Sequence, residues 1–178
     1  MEFIRKIIKE ELSKINEVSN QLHNVIKNNY VDKRITISKD DNLKFKENKN
    51  NQTPGPKPVG LWYGIGSSWI DYIKSNNMNE WDYDNAFELI LDDNKLLKIT
   101  NVNELDNFTK IYVDTTNDTY LNNYFINWDS VAEKYSGIEI APYIWKGRMK
   151  YMWYYGWDVA SGCIWSKDVI KNVIKINN

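Results

Sequence analysis

Glu139 lies inside Gly137-Ile138-Glu139-Ile140-Ala141, a segment whose composition is that of a buried strand. Side chains on a strand alternate between faces, so turning Ile138 and Ile140 toward a core sends Glu139 to the opposite face. Two readings of that carboxylate stay open: a charge on a solvated outer face, or an acid at a pocket that binds a sugar hydroxyl or stabilises positive charge. The other chemical signal is aromatic. All eight tryptophans fall between Trp62 and Trp165, and Trp153, Trp157 and Trp165 gather with Tyr151, Tyr154 and Tyr155. Most of these rings belong to packing, because each indole buries a large area. Their number exceeds what a small core encloses, so some should line a cleft where a flat ring stacks on a nucleobase or nicotinamide. Trp62, Tyr143, Trp157 and Glu139 are expected to converge on that one cavity.

Weaker signals surround these. Gly64-Ile65-Gly66-Ser67-Ser68 resembles a phosphate cradle but lacks the spacing of a dinucleotide fingerprint or a P-loop, and a turn followed by a helix cap is the better reading. Lys57, Lys146 and Arg148 could meet a phosphate, with solvated loop charges as the plainer account. His23 is the only histidine, and Ser19 and Lys27 beside it offer no triad, so it reads as a surface residue. One histidine and the single Cys163 exclude a His-rich or multi-cysteine metal site and a disulfide framework. Carboxylates at Asp82, Asp84, Asp92 and Asp93 could hold a cation only in a generic way.

The elements that would position these residues follow from periodicity. Residues 3–28 predict an amphipathic helix, with Ile4, Ile8, Leu12, Ile15, Val18, Leu22 and Val25 on one stripe. It packs on the domain or, because the stripe is nearly heptad-like, pairs with a second copy or a partner. Strands are expected at 34–38, 59–63, 87–91, 96–99, 137–141 and 159–165. Helices are expected from Trp69 with Ser67 or Ser68 as cap, over 103–112 and over 128–135. Residues 168–176 form a helical turn or a strand, and 39–57 a long polar loop, functional or disordered. Strands interleaved with short helices give one α+β domain over 29–178, with a mixed or antiparallel sheet, preceded by the helix at 1–28.

Composition narrows the function classes. The chain has 178 residues, with 23 Lys plus Arg against 24 Asp plus Glu. That near-balance argues against a general grip on nucleic-acid backbone. No apolar run approaches the roughly 20 residues of a membrane span, and the first residues lack a secretory h-region, so a reducing, cytoplasmic setting is expected.

Four stretches are distinctive: Lys57-Pro58-Val59-Gly60-Leu61-Trp62-Tyr63, Asn127-Trp128-Asp129-Ser130-Val131-Ala132, Tyr135 to Tyr143, and Trp153 to Trp165. On them the chain resembles a family of uncharacterised proteins common in bacteriophages, which implies a viral or prophage source. Gly60-Leu61-Trp62-Tyr63 before the Trp69 helix, and the order of the strands at 87–91 and 96–99, are also similar to the ADP-ribosyltransferase superfamily. That resemblance implies NAD as cofactor. Trp62 would stack the nicotinamide, with Tyr63, Tyr143 and Trp157 completing the pocket, Arg34 would be the early-strand residue that fixes the ribose, and Glu139 the catalytic late-strand glutamate. The expected function is binding of NAD or a related nucleotide, with transfer of ADP-ribose as the implied activity. A viral interaction protein (virion component or host-defence antagonist) and a carbohydrate-binding module are the alternatives. The matching partners would be a nucleotide or a host protein, with a homo-oligomer formed through the first helix.

Overall fold

The computed structural model describes residues 2–78, 83–115 and 125–177. In chain order these form α1 (Glu2–Asn29), β1 (Arg34–Ser38), β2 (Leu61–Ile65), α2 (Ser68–Ser75), β3 (Asn85–Leu91), β4 (Leu96–Ile99), α3 (Val102–Tyr112) and α4 (Trp128–Lys134). They continue with β5 (Gly137–Ile140), α5 (Trp145–Arg148), α6 (Met152–Tyr155), β6 (Ser161–Ile164) and β7 (Ile170–Ile176). The chain is therefore α+β, built on one mixed sheet.

The strands run in the order β4-β5-β6-β2-β1-β3-β7. Only β4 and β5 are parallel; every other pair is antiparallel. Asp92–Lys95 is a turn between two strands, as its residues predict, yet those strands do not pair. β3 lies beside β1 and β7, and β4 lies beside β5. In a flat sheet the five strand spacings between β3 and β4 would measure about 24 Å. The link from Leu91 to Leu96 reaches at most roughly 17 Å when extended, and here Asp93–Lys95 is wound into a 3-10 turn. The sheet must therefore curl until its two sides approach each other. Lys95 Nζ donates to the Asp168 carbonyl at 2.8 Å across that approach, while Asp92 N–H, donating to the Val169 carbonyl at 2.8 Å, extends the β3–β7 ladder beside it.

Curling gives the sheet an outer and an inner face with different coverings. On the outer face of β4, β5 and β6, Ile99, Ile138, Ile140 and Cys163 meet α3 to α6 through Leu105, Phe108, Trp128, Trp153 and Tyr154. The outer face of β1 and β3 packs under α1 and α2 through Ile35, Ala86, Leu22, Ile26 and Ile70. The inner face carries Tyr63, Leu89, Leu91, Leu96 and Ile164, with Leu43 and Phe45 packed against them. Those two residues come from the segment expected to be a long polar loop, functional or disordered. Asn48 N–H bonds the Trp165 carbonyl at 2.8 Å, the Gln52 side chain brackets Val59 by donating to its carbonyl and accepting from its N–H, and Gly55 bridges to Ile126. Residues 39–57 form a strap across the inner face rather than a disordered connection.

The first helix runs where its periodicity predicts, but its described contacts lie near its C-terminal end. Leu22 and Ile26 are buried, whereas Ile4 and Ile7 are exposed. His23 differs from the expected surface position. Its Nε2 sits 2.7 Å from Asp71 and its Nδ1 3.0 Å from Lys74 Nζ, with the side chain 14% exposed. With Lys74 donating to Nδ1, Nε2–H donates to Asp71, so the ring clips α1 to α2. No helix among the described residues is long and apolar enough to cross a membrane.

Candidate functional site

Period-two alternation decides the geometry. In the ladders Tyr63 pairs with Gly162 and Gly162 with Glu139, so these three share the inner face. Trp62 pairs with Cys163 and Cys163 with Ile138, placing Trp62 on the outer face. Arg34 pairs with Ile65 and joins the inner set.

Three predicted residues thus meet. Glu139, 8% exposed, accepts from Arg34 Nε at 2.6 Å and Nη2 at 3.3 Å, and from the Tyr63 hydroxyl at 3.0 Å. Of the two readings open for Glu139, solvent exposure is overturned: the strand lies on the concave side, where Arg34 covers it. Arg34 Nη2 also donates to Asp93 at 2.5 Å, and Lys98 Nζ stands 2.9 Å from the same carboxylate. The group borders a cavity of about 480 Å³ whose walls include Lys33, Glu88, Leu89 and Ala141. Burial opposes the charge on Arg34, but the bonds to Glu139 and Asp93 outweigh it, and the guanidinium is held charged more firmly than usual. Burial, reinforced by the Glu139 charge, pushes the Tyr63 phenol well up, so it stays a protonated donor.

Tyr63 reaches Glu139 across the intervening strand β6, and Gly162 makes room for it. A Cβ at residue 162 would lie 2.3 Å from the Tyr63 ring and 2.7 Å from the Ile138 carbonyl. Gly162→Val is therefore expected to push Tyr63 off Glu139 and to destabilise by about 1–3 kcal/mol, as overpacking does. Urea unfolding measures the loss; an unchanged midpoint would show that the ring has another path. Lys98 and Gly162 escaped the sequence reading, and Asp93 entered it only as a generic cation ligand, not as a partner of Arg34. Asp93 looks like a turn residue and Lys98 like an edge charge, and only the register across β4, β5 and β6 brings them in.

The rings expected beside Glu139 lie elsewhere. Trp62 and Trp157 meet edge to face at 4.9 Å and line a second cavity of about 450 Å³, with Trp69, Lys57 and Asp158 in its wall. Tyr143 sits one layer behind, stacked on Tyr154 at 5.5 Å and accepting from Arg148 Nη1 at 3.2 Å. The expectation of one cavity shared by Trp62, Tyr143, Trp157 and Glu139 is corrected for a simple reason. Consecutive strand residues point to opposite faces, so Trp62 cannot accompany Tyr63. Tyr63 alone touches both places, bordering the aromatic cavity while its hydroxyl reaches Glu139.

The remaining candidates resolve as structural. Ser67 begins α2 without a side-chain cap bond and donates instead to Asp71 at 2.7 Å. Arg148 lies 3.5 Å from Asp158 and over the Tyr155 ring at 4.8 Å, so it is engaged within the protein. Asp92 pairs with Lys171 and Asp93 with Arg34 and Lys98, while Asp82 lies outside the described residues. Among the described residues no group of three or more His, Cys, Asp or Glu could hold a metal ion. Comparisons with protein families, with curated proteins and with solved structures find no match to this chain, so its site is read from its own residues.

Proposed function

We propose that this protein binds a ribose-bearing nucleotide, with NAD the leading candidate, at the inner-face centre formed by Arg34, Tyr63 and Glu139. The observation that carries the reading is the convergence of an early-strand arginine and a late-strand glutamate at 2.6 Å, beside a cavity of about 480 Å³. Those are the two positions that the resemblance to ADP-ribosyltransferases assigns to the ribose. A carboxylate accepts both hydroxyls of a cis-diol, and a guanidinium holds phosphate oxygens bidentately. Arg34 already divides its donors between Glu139 and Asp93, so an incoming phosphate draws it toward the ligand and frees Glu139 for the sugar.

Transfer of ADP-ribose is the activity the resemblance implies. In that reaction the bond from the ribose C1′ to the nicotinamide nitrogen breaks and its electron pair neutralises the ring. The acceptor then adds to C1′ and loses its proton. Glu139 would stabilise the oxocarbenium-like ribose between those events. A bacteriophage setting follows from the other resemblance and would make a host protein the acceptor. Isothermal titration with NAD tests the binding: saturable heat is expected, weakened about tenfold or more in Glu139→Gln. No heat at millimolar NAD removes the proposal. Chromatographic detection of free nicotinamide separates transfer or hydrolysis from binding alone.

A further inference from the structure

We infer that the gap between β1 and β2 is a second binding site, built for a planar heterocycle that presents a donor and an acceptor on one edge, as a purine does. The ladder between these strands contains only Arg34 opposite Ile65 and Ile35 opposite Gly64. β2 stays paired with β6 over four residues, whereas β1 parts from it toward Ile37. Gly66 N–H bonds the Lys33 carbonyl and Ile65 N–H the Ala160 carbonyl, which fixes the parity of both strands. By that parity the N–H and C=O of Trp62 turn toward β1, and those of Ile37 toward β2, across the opening. A ladder that stops in this way leaves a backbone donor and acceptor side by side, the pattern a base edge complements.

Three further observations point to a ligand. The opening leads into the cavity of about 450 Å³, walled by Ile37, Trp62, Trp69 and Trp157. Trp157 is 1% exposed, and its Nε1 is the buried side-chain polar atom without a partner among the described residues. A buried donor left unpaired costs free energy, and that cost is carried in the wall of this cavity. Lys57 Nζ stands 5.5 Å from the Trp62 ring centre, so the rim offers a cation. Asp158, the acid in the same wall, is offset by Arg148 at 3.5 Å. A flat ring stacked on Trp62 with its polar edge on the strands, and an anionic substituent at Lys57, describes a purine nucleoside monophosphate. The cavity meets the Arg34–Glu139 centre only through Tyr63, and a Glu139→Gln variant separates the two sites.

Saturation-transfer NMR on the full chain, with adenine, AMP and indole as probes, tests it. Indole matches the base in flatness but lacks the paired donor and acceptor. Adenine is expected to bind saturably and indole about tenfold more weakly. Trp62→Ala should weaken adenine about tenfold, the scale of base–aromatic stacking. Trp62→Phe, which keeps a ring and protects the fold, should weaken it about threefold. Lys57→Ala should weaken AMP but leave adenine unchanged, and Glu139→Gln should leave adenine unchanged. Equal binding of indole and adenine, an equal loss in Glu139→Gln, or no saturation by adenine at its solubility limit would overturn the proposal. Adenine binding in a protein that ignores NAD would uphold this site while removing the inner-face reading.

Discussion

Arg34→Ala is expected to destabilise the protein by about 3–5 kcal/mol, the cost of removing one partner from a buried ion pair. The mutation leaves Glu139 with the Tyr63 hydroxyl as its remaining side-chain partner, at 8% exposure. Asp93 still keeps Lys98. Glu139→Ala should cost less, about 2–3 kcal/mol, because Arg34 retains Asp93 and its side chain is 16% exposed. The order of the two losses is the sharper expectation. Urea unfolding followed by far-UV circular dichroism gives both midpoints. A loss below about 1 kcal/mol for Arg34→Ala would mean that water, not burial, surrounds the pair. Replacing both residues by apolar side chains of similar volume should recover most of the loss, since a desolvated pair is weak evidence for stability. A double replacement that is stable yet no longer binds NAD would show a charge pair kept for its ligand.

The second large effect belongs to Trp128, which is fully buried where α4 begins. Its indole contacts the rings of Phe108 at 5.9 Å, Trp153 at 6.1 Å and Trp165 at 6.4 Å, and its Nε1–H donates to the Gly55 carbonyl at 3.0 Å. Trp128→Ala therefore removes the centre of the helical layer and one tether of the strap at once. The expected loss is about 3–5 kcal/mol for the cavity, with about 1 kcal/mol more for the hydrogen bond. Trp128→Phe keeps most of the packing but not the tether, so it should separate the two. If the strap depends on that bond, Trp128→Phe will show faster hydrogen exchange around Gly55 and Ile126 while the sheet amides stay protected. Unchanged exchange there would assign the strap's stability to Gln52 and Asn48 instead.

Local patterns in the chain carried most of the elements. The stripe at 3–28, the β-branched run at 34–38 and the short run at 96–99 each correspond to an element with nearly the same bounds. The same two-residue period that sends Glu139 away from Ile138 and Ile140 was legible from residue types alone. It also separates Trp62 from Tyr63, a consequence the aromatic count obscured. The resemblance named Arg34 and Glu139 together, but no local pattern showed that they form an ion pair, because Arg34 lies 105 positions earlier and meets Glu139 only through the order of β5, β6, β2 and β1. Strand order is a property of long-range pairing, and no window of sequence contains it. The curl of the sheet was hidden for a related reason. A four-residue turn usually signals a hairpin, and nothing in Asp92-Asp93-Asn94-Lys95 announces that the next strand continues on the far side. The order of the strap stayed open in the sequence because its Lys and Asn content outweighed Leu43 and Phe45, two apolar residues too few to make a periodic signal.

Cys163 is the sole sulfhydryl of the chain, 0% exposed on β6 opposite Trp62, and burial pushes its thiol well up, away from thiolate. Alkylating reagents attack the thiolate, so the native fold shields this atom both by access and by chemistry. Covalent tagging at that position then counts molecules whose central strands have separated. The protein carries its own single-site gauge of opening, readable by intact mass without an introduced cysteine.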